Sequence, residues 1–224
     1  MVMVCIGNYS MATLLDSLFI PSLGINLHSI LIMYKDLVCD YFYGEKPLTE
    51  YNIQEQQTLS LAMDIIRTHG VGGKFVESLI RHRFGLKDAE SIHGWDGYKS
   101  SRPVEIKTET INKTKLLNCE GSFGDHRKES IRKKDLFLKE RPYLYSVGVD
   151  DITGKCLYVM CTDTRKIPED SIFFERLDAK APRIRFGHWS KTKSYKIVFV
   201  SNLARIRSAE IDKKLMLVLQ DAMK

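Results

Sequence analysis

The sequence predicts an α/β or α+β sandwich, with helices flanking a central mixed β-sheet. Three observations carry that prediction. Apolar residues recur at helical spacing in "NIQEQQTLSLAMDIIRTHG" and "VGGKFVESLIRHRFG". The period then changes, because "YLYSVGVD" and "KCLYVMCT" are β-rich runs joined by the turn "DITG". Between these blocks, "PVEIKTET" alternates apolar or β-branched residues with charged ones, which is the period of a strand. Helices and strands arranged in such blocks layer around one sheet.

Taken in order, residues 1–50 form an apolar region expected to be helical, a candidate packing or dimerisation surface. Ser17 to Tyr34 carries no formal charge, yet Pro21, Gly24, Asn26 and His28 interrupt it and no basic segment precedes it. Two core or interface helices meeting near "PSLG" are therefore expected, and no transmembrane segment. After the turn-prone "YGEKPLTE", residues 51–224 form the main domain. Leu59, Met63 and Ile66 share one helical face, and Gly70 is the expected stop. A helix reopens after two glycines, with Phe75, Val76, Leu79 and Ile80 on its buried side. The strand from Val104 to Thr110 follows. "GDHRKESIRKKDLFLKE" then reads as a strongly basic helix capped near Asp125. The β-hairpin, the strand "YKIVFVS" and a helix from about Ser208, with Ile211, Leu215, Leu219 and Met223 as its apolar set, complete the chain.

Charge is unevenly distributed. The formal net charge is +6. Met1 to Asp64 holds two basic residues against seven acidic, whereas Lys180 to Lys214 holds ten against two. Such a field suits a polyanion lying across one side of the molecule. The five cysteines form no CxxC pair, so neither a zinc site nor a secreted disulfide framework is expected, and a reducing, cytoplasmic location is. The six histidines lack ligand spacing, and no glycine-rich phosphate loop implies a nucleotide cofactor.

The chemistry concentrates in "HGWDGYKSSRPVEIKTET", His93 to Thr110. On a strand, Val104, Ile106 and Thr108 point to a core while Glu105, Lys107 and Glu109 share the other face, neighbours lying roughly 7 Å apart. That second face is expected to line an open cleft. Asp96 precedes Gly97 at an expected bend, from which its carboxylate can swing toward Glu105. Two converging carboxylates suit Mg²⁺, which takes one or two protein carboxylates and completes its shell with water and phosphate. Lys107 would then orient or deprotonate a water and offset phosphate charge. The plainer alternative is an amphipathic edge strand with solvated charges.

"WDG" followed by "PVEIK" resembles the catalytic core of the PD-(D/E)xK nuclease superfamily, which includes type II restriction endonucleases. The matching elements are Asp96, an eight-residue spacer, Glu105, the apolar Ile106 and Lys107. Glu77, in "GGKFVESLI", resembles the further acidic residue that members carry on a preceding helix. Trp95 stands where the motif has proline. The resemblance covers Gly72 to Thr162, and implies a restriction-endonuclease-like core at about 72–162 within a nuclease domain spanning 51–224. It further implies hydrolysis of DNA with Mg²⁺ (Mn²⁺ able to substitute), leaving 5′-phosphates. Asp96, Glu105 and the Ile106 carbonyl would be the metal ligands and Lys107 would position the water, with Glu77 as an additional catalytic carboxylate.

Two basic segments could hold the DNA. One supplies Lys113, Lys115, Asn118, Ser122, His126, Arg127, Lys128, Arg132, Lys133 and Lys134; the other supplies Arg183, Arg185, His188, Trp189, Lys191 and Lys193. The expectation is a site-specific endonuclease acting on double-stranded DNA as a homodimer, since one site per chain must cut two strands. Homing, repair, junction-resolving or RNA nucleases, and a DNA-binding protein without catalysis, are the rivals.

Overall fold

A computed structural model describes residues 19–20, 25–26, 33–68, 71–89, 94–111, 121–122, 127–169, 173–174, 183–184, 195–208 and 213–224. Where two helices were expected to meet at "PSLG", β1 (Phe19–Ile20) and β2 (Ile25–Asn26) instead pair antiparallel. The local chemistry favours this outcome, because isoleucines flank a segment whose Pro21 lacks the amide donor that a helix needs.

Three helices follow. In α1 (Lys35–Tyr43), Val38, Cys39 and Phe42 are buried. Ahead of α2 (Ile53–Arg67), the Asn52 side chain accepts from the Glu55 amide while the Glu55 carboxylate accepts from the Asn52 amide. This reciprocal cap satisfies two donors that the first turn leaves open. α3 (Val71–Arg83) starts at Val71 and so includes Gly72 and Gly73, rather than reopening after them. Each glycine costs a helix about 1 kcal/mol. Complete burial of Phe75, Val76, Leu79 and Ile80 offsets that, at about 1.5–3 kcal/mol per side chain.

The main sheet has five strands in the order β10-β7-β6-β4-β3. These are β3 (Gly97–Lys99), β4 (Arg102–Ile111), β6 (Tyr143–Asp150), β7 (Cys156–Asp163) and β10 (Tyr195–Val200). Only β4 and β6 pair in parallel; the other neighbours are antiparallel. A parallel pair needs a crossover, and the segment between these strands contains β5 (Gly121–Ser122) and α4 (Arg127–Glu140). β6 and β7 form the expected hairpin, and Gly154 adopts φ +70° in its turn, where a side chain would be strained. β5 also belongs to a small sheet ordered β5-β9-β8, with β8 (Phe173–Phe174) and β9 (Arg183–Ile184). The chain closes with two helices, α5 (Leu203–Ser208) and α6 (Lys213–Ala222), where one was expected. Leu219 is buried and Met223 exposed, while the side chains of Ile211 and Leu215 lie outside the described residues.

Helices cover both faces of the sheet. On one, Val104, Ile106, Tyr145, Val147 and Val159 pack with Val38, Phe42, Leu59, Met63, Phe75 and Leu79 from α1 to α3. α1 thus shares one continuous core with residues beyond position 50. On the other, Leu144 and Trp95 meet Phe137 of α4, and Ile111, Tyr158 and Met160 meet Ile206 and Leu219 of α5 and α6. The fold is a mixed sheet flanked by helices, of the α+β class. Cys39, Cys156 and Cys161 are free thiols, and no described helix is long and apolar enough to cross a membrane.

Candidate active site

Register places the first carboxylate. β3 and β4 pair with Gly97 opposite Val104, and the Asp96 amide donates to the Val104 carbonyl at 3.0 Å. The ladder ends there, and the Asp96 side chain reaches past Val104 along β4, toward the residues that follow it. As expected, Asp96 sits on a bend, directly before β3; the tight turn that joins β3 to β4 lies at Ser100, with φ 57°. Beyond the end of β3 the Ile106 amide would lack a partner, and Asp96 Oδ2 accepts from it at 2.7 Å. A strand residue's N–H and C=O leave by the same edge, so the Ile106 carbonyl faces the same uncovered edge.

The expected open face is closed at Glu105. This side chain is 0% exposed. Trp95, Phe137 and Leu144 form an apolar cluster there, and the Trp95 indole donates to Glu140 Oε2 at 2.9 Å, which fastens α4 beside Asp96. Two ammonium groups converge on one oxygen of the buried carboxylate: Lys107 Nζ lies 2.5 Å and Lys133 Nζ 3.0 Å from Glu105 Oε1. The other oxygen, Oε2, is buried and has no hydrogen-bond partner among the described residues. Both lysine side chains keep partial access to solvent, 24% for Lys107 and 18% for Lys133.

Glu77, on α3, completes the cluster. Its carboxylate accepts from Lys74 at 2.9 Å, and the same ammonium lies 3.6 Å from Asp96 Oδ1. Burial, then the Asp96 charge, push the Glu77 carboxyl up to about 7, against the opposing pull of Lys74. Burial lowers the Lys107 ammonium, but Glu105, Asp96 and Glu77 more than offset it and raise it to about 12. Without a metal, Lys107 is therefore held as an ammonium, suited to orienting a water or offsetting phosphate charge. Lys74 is also raised, its burial outweighed by Glu77 and Asp96. Three carboxylates and three ammonium groups thus share one neighbourhood. Glu109, half-buried, lies further along the same strand face.

The donor set fits a hard cation. Glu105 Oε2 is an orphaned buried acceptor, the Asp96 carboxylate accepts from the amide of the next residue, and the Ile106 carbonyl faces the edge beside them. Among the described residues no group of three or more His, Cys, Asp or Glu side chains could hold a metal. Two carboxylates and a carbonyl nevertheless satisfy an ion that keeps most of its waters.

The expected DNA contacts are only partly described. Arg127, Lys128 and Arg132 lie on α4, with Arg132 exposed. Ser122 of β5 pairs directly with Arg183 of β9, which joins the two basic segments in one small sheet. Lys113, Lys115, Asn118, His126, Arg185, His188, Trp189, Lys191 and Lys193 lie outside the described residues. Sequence reasoning assigned no role to Lys74, and placed Lys133 among the cations able to grip a DNA backbone rather than beside the carboxylates. A signal existed for both, because Lys74 is three residues before Glu77 and Lys133 four before the buried Phe137, spacings that share a helical face.

No protein-family profile matches the chain, and no curated protein does. Among solved structures it is similar to a restriction endonuclease in complex with substrate DNA, at 13% identity and a TM-score of 0.37, covering 84% of this chain and 99% of that one.

Proposed function

We propose that the chain is a Mg²⁺-dependent endonuclease hydrolysing phosphodiester bonds in double-stranded DNA, site-specific and of the restriction type. One observation carries the reading: a fully buried glutamate whose one oxygen is held by two lysines while the other has no hydrogen-bond partner among the described residues, followed by an amide that donates to a second buried carboxylate, Asp96. Even a paired buried charge carries a desolvation cost, and such clusters concentrate where they perform chemistry.

Asp96, Glu105 and the Ile106 carbonyl would hold the ion, with Mn²⁺ able to replace Mg²⁺. When bound, it supplies Lewis-acid stabilisation of phosphate charge and a more acidic water. The Lys107 ammonium orients that water and offsets charge at the phosphate. In hydrolysis a water oxygen would bond to phosphorus as the bond to the 3′ oxygen breaks, one water proton being lost to solvent and the 3′ oxygen taking one from solvent, which leaves a 5′-phosphate and a 3′-hydroxyl. Exposed cations, Arg132 among them, hold the backbone. Two copies would serve the two strands, and the apolar N-terminal region is the proposed interface.

The balance of three ammoniums against three carboxylates favours a second reading, a DNA-binding protein in which the carboxylates only pair lysines. Plasmid cleavage separates the two. The nuclease reading expects Mg²⁺-dependent products, abolished by EDTA and by Lys107→Ala. Salt-sensitive DNA binding with no cleavage in Mg²⁺ or Mn²⁺ would overturn it. Discrete fragments with 5′-phosphate ends would identify a restriction-type enzyme, and preferential cutting of branched DNA a junction or repair nuclease.

A further inference from the structure

We propose that Lys133 is a positioning residue of this centre: the resident counterion of Glu105, competing with a divalent cation for that carboxylate and released by DNA phosphate. The inference rests on the metal-dependent reading above.

Lys133 reaches Glu105 from a different element, 28 residues along the chain. Its placement is fixed by packing. Phe137, one turn further on the same face of α4, is fully buried, and Glu140 receives the indole N–H of Trp95, the neighbour of Asp96. The C-terminal half of α4 is thereby fastened to both carboxylate-bearing segments, and the Lys133 ammonium is held 3.0 Å from Glu105 Oε1. Lys107 already lies 2.5 Å from that oxygen, so Glu105 alone carries two counterions.

The charge count then decides what a cation meets. Even with all three carboxylates ionised, Glu77, Asp96 and Glu105 only balance Lys74, Lys107 and Lys133, so the cluster is compensated without any metal. A dication arriving with all three ammoniums in place would add uncompensated positive charge beside a buried carboxylate. One ammonium has to withdraw. Lys107 sits on the same strand as Glu105, and Lys74 is paired with Glu77. Lys133 is the one on a basic helix, next to the exposed Arg132, where a bound phosphate offers it another anion. Phosphate on α4 thus draws Lys133 from Glu105 and raises cation affinity, and by reciprocity the cation strengthens DNA binding.

The test is Mn²⁺ affinity by calorimetry for the wild type, Lys133→Met and Lys133→Arg, with and without a mixed-sequence DNA duplex. Without DNA, Lys133→Met should bind Mn²⁺ roughly tenfold more tightly than wild type, and Lys133→Arg should resemble wild type. The duplex should tighten Mn²⁺ binding to wild type and change Lys133→Met much less. Equal or weaker binding by Lys133→Met, where wild type binds, overturns the inference and leaves the nuclease reading standing. No Mn²⁺ binding by any of the proteins, with or without duplex, removes both. An independent measurement needs no variant: acylation of the Lys133 amine in wild type, followed by mass spectrometry, should rise several-fold on adding Mn²⁺ alone, which competes for Glu105, and fall again when duplex covers the released amine; a rate unchanged by Mn²⁺ at concentrations that bind refutes the proposal.

Discussion

Glu105→Gln distinguishes two pictures of the cluster by the sign of its effect on stability. If the carboxylates chiefly repelled one another, neutralising one would stabilise the fold. In this structure each has an ammonium within 4 Å, and Glu105 has two. The substitution keeps the volume and removes the charge, leaving Lys107 and Lys133 facing a neutral amide. Removing one partner of a buried ion pair costs about 3–5 kcal/mol. Both lysine side chains retain some access to water, at 24% and 18%, so the lower end applies, about 3 kcal/mol. For a chain of this size that corresponds to a melting temperature lower by about 6 °C. Differential scanning calorimetry in EDTA at neutral pH measures it. Adding Lys133→Met should recover part of the loss, because one stranded cation is removed. A Glu105→Gln protein that melts at or above wild type would refute the reasoning.

Two further outcomes follow from the geometry. The Glu77 carboxyl is raised from 4.5 to about 7, so the folded state holds its proton more tightly than the unfolded state. The associated stability is full below 4.5 and is lost as pH rises through about 7, so Glu77→Gln should narrow the gap between melting temperatures at about pH 5 and about pH 8; an unchanged gap contradicts the assignment. Gly148 lies opposite Tyr158 across β6 and β7, and a Cβ there would overlap the buried Tyr158 ring. Gly148→Ala should cost about 1–3 kcal/mol by overpacking, and thermal melts indistinguishable from wild type would show that the ring can yield.

Much of this architecture is local, and hence legible from the chain. The stripes that bury Leu59, Met63 and Ile66, and Phe75, Val76, Leu79 and Ile80, are set by neighbours three and four residues apart. The hairpin of β6 and β7 is set by β-rich runs around a short turn, and β4 by its alternation. Alternation likewise placed Glu105 and Lys107 on one face, and they do share an ion pair. The same local logic misread "PSLG", where an apolar run was taken for helix and two short strands pair instead.

What covers the charged face of β4 is not a local property. The sequence determined that Glu105 points away from Val104 and Ile106, because successive strand residues alternate. Only the tertiary structure decided that this face is sealed by α4, that Glu105 is wholly buried, and that Lys133 and Lys74 join the cluster. Burial and ion pairing depend on which distant element packs across a surface, and that is a balance of apolar contacts summed over the whole fold. Periodicity records which way a side chain faces; packing alone settles what it meets there.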